Sequence, residues 1–164
     1  MTDVTVWHLE SRNPRDLKPS SNPGTVQIRE AVVKQFAFNR FLYELVGAQW
    51  AWTDKLSWSD QRWRDYAESD DLRTWVAWQE GSPAGYFELQ KQAGNEVEIC
   101  YFGLAPAFIG QGIGGHLLSE CIRCAWAWGA SRVLVNTCSL DHHSALSNYQ
   151  ARGMAIYRTE IRPA

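Results

Sequence analysis

The sequence predicts an α+β domain with a mixed, mostly antiparallel central sheet and helices on both of its faces. Three observations predict it. Residues 72–104 hold three consecutive runs rich in aromatic and β-branched side chains, LRTWVAWQE, PAGYFELQKQ and EVEICYFGL. Only Gly81-Ser82-Pro83 and Ala93-Gly94-Asn95 separate them, which is short enough for an antiparallel meander. The apolar period then changes: Ile113, Leu117, Leu118, Cys121, Ile122, Ala125 and Trp128 mark one face of a helix over 111–128. Gly129 ends that helix, and the apolar run RVLVNTC follows as a strand parallel to the one before the helix.

The remaining elements follow in chain order. VTVWHL at 4–9 reads as a short strand, and SRNPRDLKPSSNPG after it as loop. TVQIRE is a second short strand. Phe38, Phe41, Leu42 and Leu45 give a helix over 31–46 with Gly47 as its stop. QWAWTDKLSW reads as loop, and a short helix is expected over 59–68 with Ser59 or Asp60 at its cap. Beyond RVLVNTC, DHHSALSNYQAR is a short helix stopped by Gly153, and MAIYRTEIR is a final strand. Residues 1–24 are expected to form a strand and loop extension, and 25–164 the domain proper.

Composition narrows the function classes. The chain has 164 residues, 45% of them hydrophobic, enough to bury a real core. Its formal net charge is -2 and no basic block is present, so a nucleic-acid surface is not expected. MTDVTVWHLE has no leader pattern, and no apolar run reaches the length of a membrane span, so a soluble cytoplasmic protein without a membrane partner is the expectation. Cys121 and Cys124 form a C-x-x-C, but no second pair completes a zinc site, and their place inside a helix reads as packing. No metal is expected. Nine tryptophans are many for this length, and Trp50, Trp52 and Trp58 stand in a polar stretch. They either pack, form a contact between two copies in a homodimer, stack an aromatic acceptor substrate or hold a cation over a ring.

The strongest chemical signal is Gly110-Gln111-Gly112-Ile113-Gly114-Gly115, between a strand and a long helix. Glycines let the backbone approach a phosphate, and the free N–H groups of the helix start point at the anion. The spacing Gly110, Gly112, Gly115 formally fits the dinucleotide fingerprint, but an antiparallel meander precedes it, whereas that fingerprint belongs to a parallel sheet. No Lys-Ser or Lys-Thr follows, which excludes a Walker loop.

The same segment resembles motif A of the GNAT N-acetyltransferases, Q/R-x-x-G-x-G/A, with Gly112 and Gly114 as its glycines and Ile109 in place of the first Gln or Arg. A second stretch, His142 to Met154, resembles the family's N-x-x-A-x-x-L-Y-x-x-x-G-F. Ala145, Tyr149 and Gly153 match, while His142, Asn148 and Met154 replace the usual Asn, Leu and Phe. The resemblance covers roughly residues 25–161 and implies the acyl-CoA N-acyltransferase fold.

It also implies roles. Acetyl-CoA would be the co-substrate. Phe102, Gly103 and Leu104 would pair with its pantetheine arm and hold the acetyl oxygen, and Gly110, Gln111, Gly112, Ile113, Gly114 and Gly115 would hold its pyrophosphate. His142 would approach it as well. Glu98 matches a general base, or is a solvated strand residue; Tyr149 matches a general acid toward the CoA thiolate, or is a core aromatic. Cys100, inside an apolar strand, reads as an inert thiol. The implied reaction is acetylation of a primary amine of a small molecule or peptide in a ternary complex. The alternatives are a degenerate acyl-CoA-binding module and a dinucleotide-binding protein.

Overall fold

Pairing of alternately buried side chains builds one sheet across the whole chain. The structure, a computed structural model, describes residues 2–163. Among these, seven strands form: β1 (Val4–Ser11), β2 (Gln27–Glu30), β3 (Leu72–Gln79), β4 (Ser82–Lys91), β5 (Glu96–Leu104), β6 (Arg132–Cys138) and β7 (Ala155–Arg162). Four helices accompany them: α1 (Phe36–Gly47), α2 (Asp60–Ala67), α3 (Ile113–Ala127) and α4 (Ala145–Ala151). The sheet order is β2-β3-β4-β5-β6-β1-β7. β5 and β6 pair in parallel and all other neighbours antiparallel, which is the mixed sheet the sequence predicts.

The stretch at 1–24, expected as an extension, carries an internal strand. β1 hydrogen-bonds β6 on one side, from Val6 opposite Cys138 to Ser11 opposite Val133, and β7 on the other. Its chain then crosses the start of α3 and the end of α4. Lys18 N–H donates to the Arg152 carbonyl at 3.0 Å, and Ser20 N–H to the Ser119 hydroxyl at 2.8 Å.

Two cores lie on opposite sides of the sheet. On the larger one, Leu117, Leu118, Cys121, Ile122 and Ala125 of α3 are wholly buried against Phe87, Leu89, Val97 and Val133. Each fully buried Leu or Ile there contributes about 1.5–3 kcal/mol. The smaller core joins Leu42 and Val46 of α1 to Val76 and Tyr86.

The cap of α2 follows the expectation, whereas the last helix, expected from Asp141, begins at Ala145. Ser59 caps α2 by accepting from Arg62 N–H at 3.2 Å. The first helix was expected from residue 31 and begins at Phe36. Ala31 N–H still donates to the Thr74 carbonyl, prolonging the pairing of β2. The Phe36 N–H is then satisfied by the Glu68 carboxylate at the end of α2, 3.0 Å away.

A one-residue bulge shapes the middle of the sheet. Tyr101 lies opposite Glu88 and Ile99 opposite Leu89, so Cys100 has no partner on β4. β5 pairs with β6 only over Glu96–Glu98 and Arg132–Leu134. Beyond those residues the two parallel strands part.

Gly153, the stop of α4, has φ +98°, and a Cβ there would overlap the Asp16 carbonyl oxygen. Gly153→Ala should therefore cost at least about 2 kcal/mol, from left-handed strain plus displacement of the 16–20 segment. Urea unfolding measures it, and an unchanged midpoint would show that this segment is not held against α4.

Candidate active site

The parting of β5 and β6 opens a cavity of about 1130 Å³ that reaches from the glycine loop to the α1–α2 connection. Gly110, Gly112, Gly114 and Gly115 line one end. Gly110 and Gly112 have φ of +86° and +80°, which an L side chain strains to adopt, and Gly112 is the residue that caps α3. The first N–H groups of α3 therefore face a cavity rather than a protein partner, the arrangement that suits an anion. Gln111 and Ile113 do not line it. Gln111 donates to the Ala107 carbonyl at 3.2 Å, and Ile113 is buried in the core.

Phe102, Gly103 and Leu104 form the β5 wall. Their backbone has no β6 partner, so that edge is free to pair with an extended ligand arm. Tyr149 stands across from them, its ring 6.1 Å from that of Phe102. It is 6% exposed, and burial pushes its phenol well above the usual range. Among the described residues nothing hydrogen-bonds its hydroxyl. Asn148, the neighbour of Tyr149, donates to the Gly114 carbonyl at 3.2 Å and so fixes α4 against the start of α3. No periodicity in the sequence singles this residue out.

Glu98 lies beside the cavity rather than on its wall. Its Oε2 is 3.8 Å from the sulfur of Cys100, which does line the cavity. Burial raises the Glu98 pKa, offset in part by the Cys100 thiol and the charge of Lys55. Glu96 is instead paired with Arg132, Nη1 to Oε2, at 3.1 Å. Burial, and next the Glu98 carboxylate, hold the Cys100 thiol well above its usual pKa, so Cys100 stays protonated. Below this layer Glu88 is 1% exposed and accepts from Asn39 at 2.8 Å and Tyr66 at 2.5 Å.

Of the three tryptophans, Trp50 and Trp52 line the cavity and Trp58 does not. Trp52 packs on Tyr101 and Tyr43, with centroids 4.9 and 5.9 Å away. Trp50 meets His142 edge-on at 5.0 Å across the cleft. Burial and His143 lower the His142 pKa, so its imidazole is neutral. Trp58 covers Lys55, whose ammonium lies 4.5 Å from the Trp58 ring, 4.8 Å from Tyr101 and 5.0 Å from Tyr66. That ammonium donates to the Tyr101 hydroxyl at 2.8 Å and to Asp54 at 3.1 Å, and the Tyr101 and Tyr43 hydroxyls donate to Asp54 at 2.8 and 2.9 Å. Burial by itself would raise the Asp54 pKa; the Tyr101 bond, the Lys55 charge and the Tyr43 bond outweigh it and lower it. The loop carrying Trp50 and Trp52 is thus pinned to β5. Sequence reasoning missed Lys55, Asp54 and Tyr101, because their relation exists only once the loop is laid on the sheet.

A family model described as the Acetyltransferase (GNAT) family matches residues 39–154. The chain belongs to this family. Its members generally carry out acetyl-CoA-dependent acyl transfer. GCN5-related N-acetyltransferases from Kribbella flavida and Sphaerobacter thermophilus share the fold, at 16% and 19% identity and TM-scores of 0.71 and 0.73, each over 98% of this chain. The chain spans 58% and 53% of their lengths, little more than half. An IAA acetyltransferase from Bacillus cereus ATCC 14579 is 26% identical, with a TM-score of 0.56 over 77% of this chain and 74% of its own. No curated protein matches the chain. Membership in the GNAT family, with a single parallel strand pair in the sheet, removes the dinucleotide reading of the glycine loop. Among the described residues no helix is long and apolar enough to cross a membrane.

Gly114 separates binding from folding. A Cβ at this position would meet only ordinary contacts, at 3.7 Å from Asn148 and Leu104, yet it would stand on the cavity wall. Gly114→Ala should leave the unfolding midpoint unchanged or raise it, since Ala costs about 0.5–1 kcal/mol less than Gly in a helix. Its acetyl-CoA affinity should fall at least about tenfold, one such step being about 1.4 kcal/mol. Calorimetric titration returning the unmodified affinity would remove the loop from phosphate binding.

Proposed function

We propose that the protein acetylates a primary amine of a small molecule or peptide, using acetyl-CoA in a ternary complex. The observation that carries this reading is the cleft between β5 and β6. It offers phosphate-seeking amides at one end, a free strand edge along one side and Tyr149 on the wall across from Phe102. A cavity of about 1130 Å³ has room for a pantetheine arm and an acceptor together.

In this reading the pantetheine arm pairs with the free edge of β5, and the thioester lies near Gly103 and Leu104, where a backbone N–H can hold the carbonyl oxygen. A neutral amine attacks the carbonyl carbon. The C–N bond forms, the carbonyl electrons move to oxygen, and their return expels the CoA thiolate. The nitrogen loses a proton to Glu98 through a water, since the carboxylate lies behind Cys100. A raised pKa makes Glu98 a stronger base than an exposed carboxylate. Tyr149 faces the sulfur. A free thiol has a pKa near 8.5, below that of a buried phenol, so complete proton transfer from Tyr149 is uphill. Its contribution is then chiefly a hydrogen bond to the developing thiolate. The same burial carries ionisation of Tyr149 beyond the alkaline limb that an exposed tyrosine would give.

Release of CoA thiol on incubation with acetyl-CoA and primary amines tests the activity. A protein that binds acetyl-CoA yet transfers to none of them would be a binding module instead. Glu98→Gln should lower kcat/KM most near neutral pH, with partial recovery at high pH as the amine deprotonates unaided. The wild-type rate should rise with pH through the raised pKa of Glu98, and that acidic limb should be missing from the variant. An unaltered pH profile would take Glu98 out of the mechanism.

Tyr149→Phe should lower kcat by about 10²-fold or less, the bottom of the range for acid catalysis, with acetyl-CoA affinity close to wild type. Single-turnover measurement isolates the chemical step, and a wild-type rate there would rule out any role for the hydroxyl.

A further inference from the structure

The end of the cavity away from the glycine loop has a wall of consistent chemistry. Val4 and Val6 project from β1, two residues apart and so on one face of the sheet. Val6 lies opposite Cys138 of β6, which also reaches the cavity. Val46 and Trp52, which abut Gly103, and Trp50, which abuts His142, also line the cavity. The wall thus draws on the end of α1 and its loop, β1 and the end of β6, three parts of the chain that only the sheet brings together.

Charge there is paired: Glu160 of β7, opposite Val6, is held by His8, Arg158 and Arg162. Asp141 is the one carboxylate on the cavity wall among the described residues. It is already engaged, accepting from the Thr137 hydroxyl at 2.5 Å and the Cys138 N–H at 3.0 Å. Glu98 is screened by Cys100, and Asp54 is held by Lys55 and two tyrosines. A polycationic acceptor would have to bring several ammonium groups into this space with no free carboxylate to meet them, and unpaired buried charge is strongly unfavourable. Among the described residues the one cation on the wall, Arg162, is itself paired with Glu160, Nε to Oε2, at 3.3 Å.

We infer that the acceptor is a primary amine on an aromatic or branched apolar body, and that β1 selects it. This inference rests on the acetyltransferase reading above and specifies the acceptor end of the same cleft. The ring or alkyl body lies against Val4, Val6, Trp50 and Trp52, leaving the single amine to point toward β5. The apolar surroundings also favour the neutral, nucleophilic form of that amine over its ammonium form. Val4 and Val6 lie outside residues 39–154, the segment that carries the family match, so this selectivity belongs to a part of the chain that the match does not cover.

The test compares 2-phenylethylamine and tryptamine with spermidine and kanamycin as acceptors, with CoA thiol release as the readout. Acetyl-CoA affinity is measured separately by calorimetry. Both arylalkylamines should exceed both polycations in kcat/KM by at least about tenfold, the discrimination that even one methylene provides in an apolar pocket. Val4→Asp should lower kcat/KM for tryptamine by about tenfold or more while acetyl-CoA affinity stays within about twofold. Trp50→Ala should act in the same direction. Equal or better turnover of the polycations overturns the inference, as does a protein that binds acetyl-CoA but acetylates neither arylalkylamine. Failure to bind acetyl-CoA, or binding it without transfer to any of the four amines, overturns the acetyltransferase reading itself. The wild-type comparison needs no variant, so it decides the matter even if Val4→Asp does not fold.

Discussion

The site depends on one extra residue in β5. Cys100 has no partner on β4, and a bulge of this kind bends its strand and increases its twist. β5 and β6 would otherwise continue as an ordinary parallel pair, with every backbone group satisfied and no space between them. Instead pairing stops after Glu98 and Leu134, and both strand ends turn their free edges to one cavity. A short 3-10 turn at Pro106–Phe108 leads from β5 to the glycine loop, and the loop to α4 follows β6. The bulge and the parting beside it therefore go together with the loop glycines, the free strand edge and Tyr149 meeting at one cavity.

The two sides of the cleft are built differently. Its glycine-loop end rests on α3, whose buried face of Leu117, Leu118, Cys121 and Ile122 makes it a rigid support for the amides at its start. The other side rests on a polar tie. Lys55, Asp54, Tyr43 and Tyr101 satisfy one another within 3.1 Å, and the ammonium sits among three aromatic rings. Such a network is favourable only when every member is paired, so it holds the Trp50–Trp52 segment in one place rather than several.

Burial governs the proton chemistry. It strengthens Glu98 as a base, weakens Tyr149 as an acid and keeps Cys100 a thiol, all by disfavouring charge in a poorly solvated cleft. The same low polarity would favour a neutral amine. Under the proposed reaction, deprotonation of the acceptor and stabilisation of the leaving thiolate are therefore unequal tasks: the first would be helped by the medium, and the second would need a hydrogen bond.

The sequence by itself determined the elements and their order. Alternation at 72–104, the helical stripe from Ile113 to Trp128 and the glycines at 110–115 are local signals, each confined to one strand, one helix or one turn. They sufficed for the mixed sheet; it was the resemblance to GNAT motifs, not periodicity, that pointed to Phe102, Gly103, Leu104, Tyr149 and the loop glycines, of which Gly110, Gly112, Gly114 and Gly115 share one cavity with the other four. Tertiary structure decided what depends on residues far apart in the chain. The start of α1 is set by Glu68, 32 residues away, which no reading of the preceding residues reveals. The insertion of β1 between β6 and β7, and with it Val4 and Val6 in the cavity wall, is a matter of which strands find each other. Trp50, Trp52 and Trp58 look alike as sequence, yet only the first two reach the cavity, because the Lys55 tie fixes the loop and turns Trp58 onto the ammonium. Local periodicity encodes which face of an element is apolar; it carries no information about the partner that will cover that face, and that partner is what shapes a site.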